Sequence, residues 1–195
     1  PVDVEEFYWK PPEDYYLIVS ELVAYKRIDA AVRAFGKPGR RLVVVGKGPE
    51  LAALRREAGP QVEFRGWVSK EELRECYARC RALLMPGEED FGMTPVEAMA
   101  SGKPVIALGR GGVLESVPLR DPVGGVFFDE PGAEVREAAI ERFEAIEDRV
   151  EPAELQAHAA RFSEAAFRQQ FLAEIQRITG KTIDTGMAAE AVHPR

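Results

Sequence analysis

The densest chemistry in this 195-residue chain lies between Met85 and Leu108, in the run MPGEEDFGMTPVEAMASGKPVIAL. Two carboxylates, Glu89 and Glu97, are separated there by the seven residues Asp90-Phe91-Gly92-Met93-Thr94-Pro95-Val96. Between them fall the marks of a helix start. Thr94 is suited to cap it, Pro95 to fill its first position, and Glu97 to close a capping box three residues after the cap. The amides of Gly92, Met93 and Thr94 are then expected to point beyond the preceding strand. A helix N-terminus carries partial positive charge and unpaired N–H donors, which together suit a phosphate. The same spacing also fits a well-capped structural helix that binds nothing. It leaves Glu88, Glu89 and Asp90 as either a solvated acidic turn or a divalent-metal site.

Other residues with chemical potential are scattered, and each has a plainer reading. Lys26 can supply a cation to a phosphate or sit solvated in the first turn of its helix. Gly46-x-Gly48 permits close backbone approach but lacks the third glycine of a dinucleotide fingerprint. Trp67 can stack on a base or pack against the fold. Cys76 and Cys80 lie four apart, while His158 and His193 are remote in sequence, so two reduced thiols are expected rather than a metal site. Thr179-Gly180-Lys181-Thr182 imitates the end of a P-loop, but Ile175 stands where the first glycine is needed and no strand precedes it.

The elements that must position these groups follow from the hydrophobic pattern. Short apolar runs at 15–20, 41–45, 62–64, 82–85, 104–108 and 125–128 read as strands. Between them, helices are expected at 26–35, at 50–58, from a Ser69 cap with Glu72 in its capping box to about Cys80, after the Thr94 cap, and near 113–117. Apolar strands alternating with helices imply an α/β, doubly wound, mainly parallel six-stranded sheet with helices on both faces. Such sheets bind ligands at the carboxyl ends of their strands, near the switch in strand order. The turns at 21–26, 46–49, 66–68, 88–94 and 109–112 would all lie on that rim.

Residues 1–14 are expected to be a leading surface segment and 15–178 the ligand-binding domain, with a helical extension from Gly132 onward and a loose tail at 179–195. Ser163 is suited to cap the last helix, with Phe162 and Phe167 placed for a hydrophobic staple. Phe167, Phe171, Ile175 and Ile178 form one stripe on it, for which core packing is the default.

Composition bounds the possibilities. Hydrophobic residues make up 46% and charged residues 30%, as in globular proteins, with a net charge of −7. No basic block appears, which argues against a nucleic-acid footprint. No apolar run approaches membrane-spanning length.

The stretch Glu89-Asp90-Phe91-Gly92-Met93-Thr94-Pro95-Val96-Glu97-Ala98-Met99-Ala100-Ser101-Gly102-Lys103-Pro104-Val105-Ile106-Ala107 resembles the signature of retaining glycosyltransferases of family 4. That signature is a Glu, seven residues, a second Glu, an Ala-rich helix and Gly-x-Pro-Val. The run Tyr25-Lys26-Arg27-Ile28-Asp29 adds a likeness to mannosyltransferases of polysaccharide biosynthesis. The resemblance spans about 1–178 and implies the Rossmann-like, donor-binding half of a GT-B fold. In the resembled family the last helices cross back toward the other half, so part of the 167–178 stripe is expected to be exposed here. An acceptor domain is implied to precede this chain, whose Pro-Val-Asp start is similar to the sequence that follows the family's interdomain linker.

By the same resemblance, Lys26 would reach the donor pyrophosphate and the amides of Met93 and Thr94 would cap it. Glu97 would accept hydrogen bonds from the ribose. Glu89 would hold hydroxyls of the sugar, assisted by the N–H groups of Phe91 and Gly92. Trp67 and Val68 would face the base, with Gly46 allowing close approach. The implied substrate is a nucleotide diphosphate sugar, with GDP-mannose suggested by the mannosyltransferase likeness, and no cofactor or metal is implied. The implied acceptor is a glycan or lipid-linked molecule, in a cytoplasmic protein that can work at the inner face of the membrane.

One position departs from the pattern. Glu21 stands where the family usually has an Arg that shares the pyrophosphate charge, so donor affinity is expected to suffer. Two other readings remain beside the transferase: half of a sugar-nucleotide epimerase or phosphorylase on the same plan, and a non-catalytic binding or assembly module.

Overall fold

The computed structural model describes residues 1–35, 39–120, 123–130 and 132–180. Six strands form a single sheet in the order β3-β2-β1-β4-β5-β6. They are β1 (Tyr16–Val19), β2 (Leu42–Val45), β3 (Val62–Gly66), β4 (Leu83–Met85), β5 (Val105–Leu108) and β6 (Gly125–Phe128). Every adjacent pair is parallel, with Tyr16 opposite Leu42 and Val105 opposite Gly125 setting the register on either side. Helices cover both faces of the sheet, which is why its inner strands read as near-continuous apolar runs.

Alternation along each strand divides the core in two. Leu17, Val43, Val45, Leu83, Met85, Val105 and Ala107 belong to one buried cluster, together with residues of α3 (Lys70–Arg79), α4 (Met93–Ala100), α5 (Val113–Ser116) and α7 (Pro152–Ala159). Tyr16, Ile18, Leu42, Val44, Leu84, Ile106 and Phe128 face the other cluster, with α1 (Ile28–Ala34), α2 (Leu51–Glu57) and α6 (Ala133–Glu144). The chain winds outward from β1 to β3, returns to β4 beside β1, and winds outward again to β6. The order therefore reverses between β1 and β4, and the loops leaving these two strands frame a crevice.

The chain leaves β1 differently from the sequence expectation. A 3-10 turn covers Ala24–Lys26, and Arg27 adopts a left-handed conformation (φ 54°) before α1 starts at Ile28. Lys26 thus sits in a tight turn ahead of the helix, not in the helix's first turn.

The leading segment is more than a surface strap. Val2 is buried and its amide donates to the Phe162 carbonyl at 2.9 Å, while Phe7 packs edge-on against Tyr77. At the other end, Ser163 caps α8 (Glu164–Thr179) as expected, accepting from the Ala166 amide at 3.2 Å. The stripe on α8 does not pack into the core: Phe167, Phe171 and Ile178 are all exposed. The Phe167 and Phe171 rings stack on one another, 5.7 Å apart. The expected tail lies, from residue 181 onward, outside the described residues. Among the described residues no helix is long and apolar enough to cross a membrane.

Candidate functional site

The helix start after β4 is where the sequence reading needs correction. The N-cap of α4 is Gly92, at φ 69° and ψ 99°, and no side chain caps it. Thr94 is the second helical residue and Pro95 the third, so neither has its expected role. A glycine here tolerates a positive φ that Thr94 would resist, and the turn before the helix sets the boundary rather than the hydroxyl. Pro95 still suits the first turn because its missing N–H would have had no intrahelical acceptor. The amides of Met93 and Thr94 donate to no acceptor among the described residues, and Thr94 lines the adjoining clefts. The expected donors at the helix tip are therefore present, without a capping serine or threonine to occupy them.

Freed from a capping box, Glu97 turns elsewhere. Its Oε2 accepts a hydrogen bond from the Tyr77 hydroxyl at 2.7 Å. Burial holds the Glu97 carboxyl above the usual carboxylate range, and the Tyr77 hydrogen bond opposes that shift. Tyr77 is fully buried, which keeps its phenol protonated well beyond the ordinary range. Its ring is held by the edge of Phe7, with centroids 5.7 Å apart.

Across the switch point, Lys26 and Glu89 form an ion pair in which the Lys26 ammonium donates to Glu89 Oε1. Lys26 also lies over the Tyr25 ring, 4.9 Å from its centroid. Both charged side chains keep some solvent contact, at 14% and 25% exposure, so the pair can be reached by a ligand. A small crevice lined by Ser20, Lys26, Gly87, Glu89 and Thr94 joins the pair to the tip of α4.

A larger cleft of about 850 Å³ opens beside it, over the ends of β1, β2 and β3. Gly46, Trp67, Val68 and Thr94 line it, with Glu21, Lys47 and Lys70 also on its walls. Much of its lining is apolar, from Val19, Val45, Val68 and Leu73. Trp67 is 78% exposed, so the packing alternative for this ring does not hold. Gly46 has φ 138°, and a Cβ there would stand 1.8 Å from the Ser20 carbonyl oxygen, so the close approach is between the protein's own strands. Phe91 and Met93 are exposed on the rim, Phe91 with its ring 6.5 Å from that of Phe162.

The loop that carries Glu89 is fixed by the 109–112 turn, which the sequence places on the rim without its partner, and by Arg136, which the sequence does not mark. Gly112 donates its N–H to the Glu89 carbonyl at 2.8 Å, and Glu89 forms an isolated bridge with Gly111. At Gly112 a Cβ would come within 2.3 Å of the Asp90 carbonyl oxygen, so a glycine is needed for this contact. The buried Arg136 donates from Nη2 to the Pro86 carbonyl at 2.9 Å and from Nη1 to the Gly132 carbonyl at 3.0 Å. Burial pulls its guanidinium down to about 10. A glycine pair and one Arg in a polar helix carry no local pattern that would identify these roles. Tyr77 is equally hidden, as one more large residue on the inner face of α3.

Two of the noted alternatives can also be placed. Cys76 and Cys80 are both free and buried. Among the described residues no three His, Cys, Asp or Glu side chains converge to hold a metal ion.

A switch-point crevice with an ammonium, a carboxylate and an uncapped helix tip can take a ligand that is both phosphorylated and rich in hydroxyls. It sits on a Rossmann-like half of a GT-B fold. The family comparison agrees: residues 3–168 match the family described as glycosyl transferases group 1, and the chain belongs to that family. Among curated proteins it is 34% identical over 112 residues to a GDP-mannose-dependent alpha-mannosyltransferase of Corynebacterium glutamicum, covering 57% of this chain and 26% of that one. Among solved structures it resembles a sucrose-phosphate synthase from Thermosynechococcus elongatus, with TM-score 0.75 and 24% identity, over 92% of this chain and 52% of the other. It also resembles an Anabaena protein solved in complex with UDP and glucose, with TM-score 0.69 and 23% identity, over 90% and 55% of the two chains. The chain thus spans about a quarter of that curated relative and about half of each solved structure.

Proposed function

We propose that this chain is the donor-binding unit of a retaining hexosyltransferase that takes a sugar from a nucleoside diphosphate, with GDP-mannose as the donor. The observation that carries the reading is the meeting of Lys26, Glu89 and the α4 tip at one crevice. The GDP-mannose dependence named for the Corynebacterium relative supports the choice of donor. The Anabaena neighbour, named as a complex with UDP and glucose, supports a nucleotide in this kind of cleft.

In this account the diphosphate lies between Lys26 and the Met93 and Thr94 amides. As the glycosidic bond breaks, negative charge grows on the leaving diphosphate. Donors already aimed at that charge stabilise the transition state without having to reorganise. An ammonium and helix-tip amides can do this without a metal ion. Glu97 accepts from the ribose and Glu89 from hydroxyls of the sugar, with the base in the cleft bounded by Gly46, Trp67 and Val68. The glycan or lipid-linked acceptor binds mainly to a preceding domain, and a lipid-linked one places the working protein at the inner face of the membrane.

Glu21 favours a second reading, a non-catalytic nucleotide-sugar module, because an anion in the cleft opposes a dianionic ligand. Calorimetric titration with GDP-mannose and UDP-glucose, using Glu97→Ala as control, tests the proposal. Binding of GDP-mannose that weakens about tenfold or more in Glu97→Ala is the expected result, since a lost charged acceptor leaves ligand hydroxyls unpaired. Equal heats with and without Glu97 would remove the ribose assignment.

A further inference from the structure

We infer that Tyr77 is a positioning residue for nucleotide recognition, holding Glu97 in the rotamer and charge state that read the ribose hydroxyls. The inference rests on the nucleotide reading of the site and adds to it a residue that no part of that reading requires.

Glu97 lies in the second turn of α4, in the interior half of the helix rather than at its exposed tip. Tyr77 Oη donates to its Oε2 at 2.7 Å, from a ring that is fully buried. Oε1 accepts nothing from the described residues, yet it is not among the side-chain atoms sealed away from solvent without a partner. One oxygen is therefore anchored inside the fold and the other is left for an outside donor.

A ribose offers two neighbouring hydroxyls, both able to donate. A freely rotating glutamate would have to be ordered on binding, which weakens the ligand by the entropy lost. The Tyr77 hydroxyl makes that ordering part of the folded state. Donation to the carboxylate also favours its ionised form against the effect of burial. A protonated Glu97 would have lost acceptor capacity toward the ribose, so the phenol protects function as well as geometry. The ring alone satisfies the packing against Phe7, which leaves Glu97 as the one acceptor that the hydroxyl serves among the described residues.

The test uses Tyr77→Phe, which keeps the ring, and compares GDP with 2′,3′-dideoxy-GDP by calorimetry. Tyr77→Phe is expected to weaken GDP about fivefold or more, following the usual worth of a hydrogen bond to a charged group. It should change dideoxy-GDP by less than about twofold, because that ligand has no hydroxyls for Glu97 to read. In a Glu97→Ala background the same substitution should cause no further loss of GDP affinity. The acid limb of GDP binding should move to higher pH in Tyr77→Phe, since Glu97 loses the donor that favours its anion. Equal weakening of both ligands, or an undiminished effect without Glu97, would show a merely structural tyrosine and overturn the inference. So would unchanged GDP affinity in Tyr77→Phe. Failure of the wild-type chain to bind GDP would overturn the nucleotide reading itself, and this inference with it.

Discussion

Lys26 donates to Glu89 Oε1 across 63 positions of sequence, joining the loop after β1 to the loop after β4 at the point where strand order reverses. Each member of the pair is the natural partner of a different part of a nucleotide sugar, an ammonium for phosphate and a carboxylate for hydroxyls. A bound donor must therefore draw the two apart or share them. Removing one should not have the same effect as removing the other.

Lys26→Ala should weaken GDP binding roughly tenfold to a hundredfold, the range expected for loss of a charge-assisted contact. Glu89→Gln should leave GDP binding equal or tighter, because Lys26 is released, but abolish any preference for GDP-mannose over GDP. Parallel titrations of both variants with both ligands measure this. Equal losses on GDP would show that the pair acts only as a brace.

Glu21 lines the large cleft without an ion-pair partner among the described residues. Glu21→Gln should tighten diphosphate binding by roughly two- to fivefold, in keeping with the modest worth of an exposed charge. The gain should shrink as salt is raised, since screening weakens the repulsion it removes. Titrations at two ionic strengths check it.

The Glu97 carboxyl is held above its ordinary range by burial, so its charge costs folding stability. A folded value raised above the unfolded one favours folding at low pH, where both states are protonated, and loses that advantage as pH rises through it. Glu97→Gln should therefore raise Tm at pH 7, by roughly 2–4 °C for each kcal/mol relieved. The difference should disappear below about pH 4, where the wild-type group is neutral in both states. Melting curves over this range decide it.

Gly112→Ala would push a methyl group against the Asp90 carbonyl and the Phe91 backbone. The expected cost is about 1–3 kcal/mol, as for other crowded positions. Because Gly112 holds the Glu89 carbonyl, GDP-mannose binding should weaken along with stability. Urea unfolding and titration of the same variant test both halves.

Much of this fold is legible because buried parallel strands leave continuous apolar runs, and 125–128 and the Ser69–Glu72 capping box fall where expected. The convergence of turns on one rim follows from the parallel arrangement alone. Helix starts are harder. Thr94 and Pro95 give a strong local signal, but Gly92 can take the positive φ that the loop from β4 requires, and tertiary geometry overrides the hydroxyl. The left-handed Arg27 that separates Lys26 from α1 leaves no mark in the sequence at all. Tyr77 and Arg136 act across 20 and 50 positions, and Gly112 reaches back to the loop before α4, beyond any local pattern.

Receipt of the diphosphate by the α4 tip is the claim on which the nucleotide reading depends most. The direct measurement is the change in backbone amide chemical shifts of the labelled chain as GDP is added. The largest changes are predicted at Gly92, Met93 and Thr94, with Lys26 following them. Changes confined to the concavity between Val2–Glu5 and Arg168–Leu172, or none at saturating GDP, would contradict it.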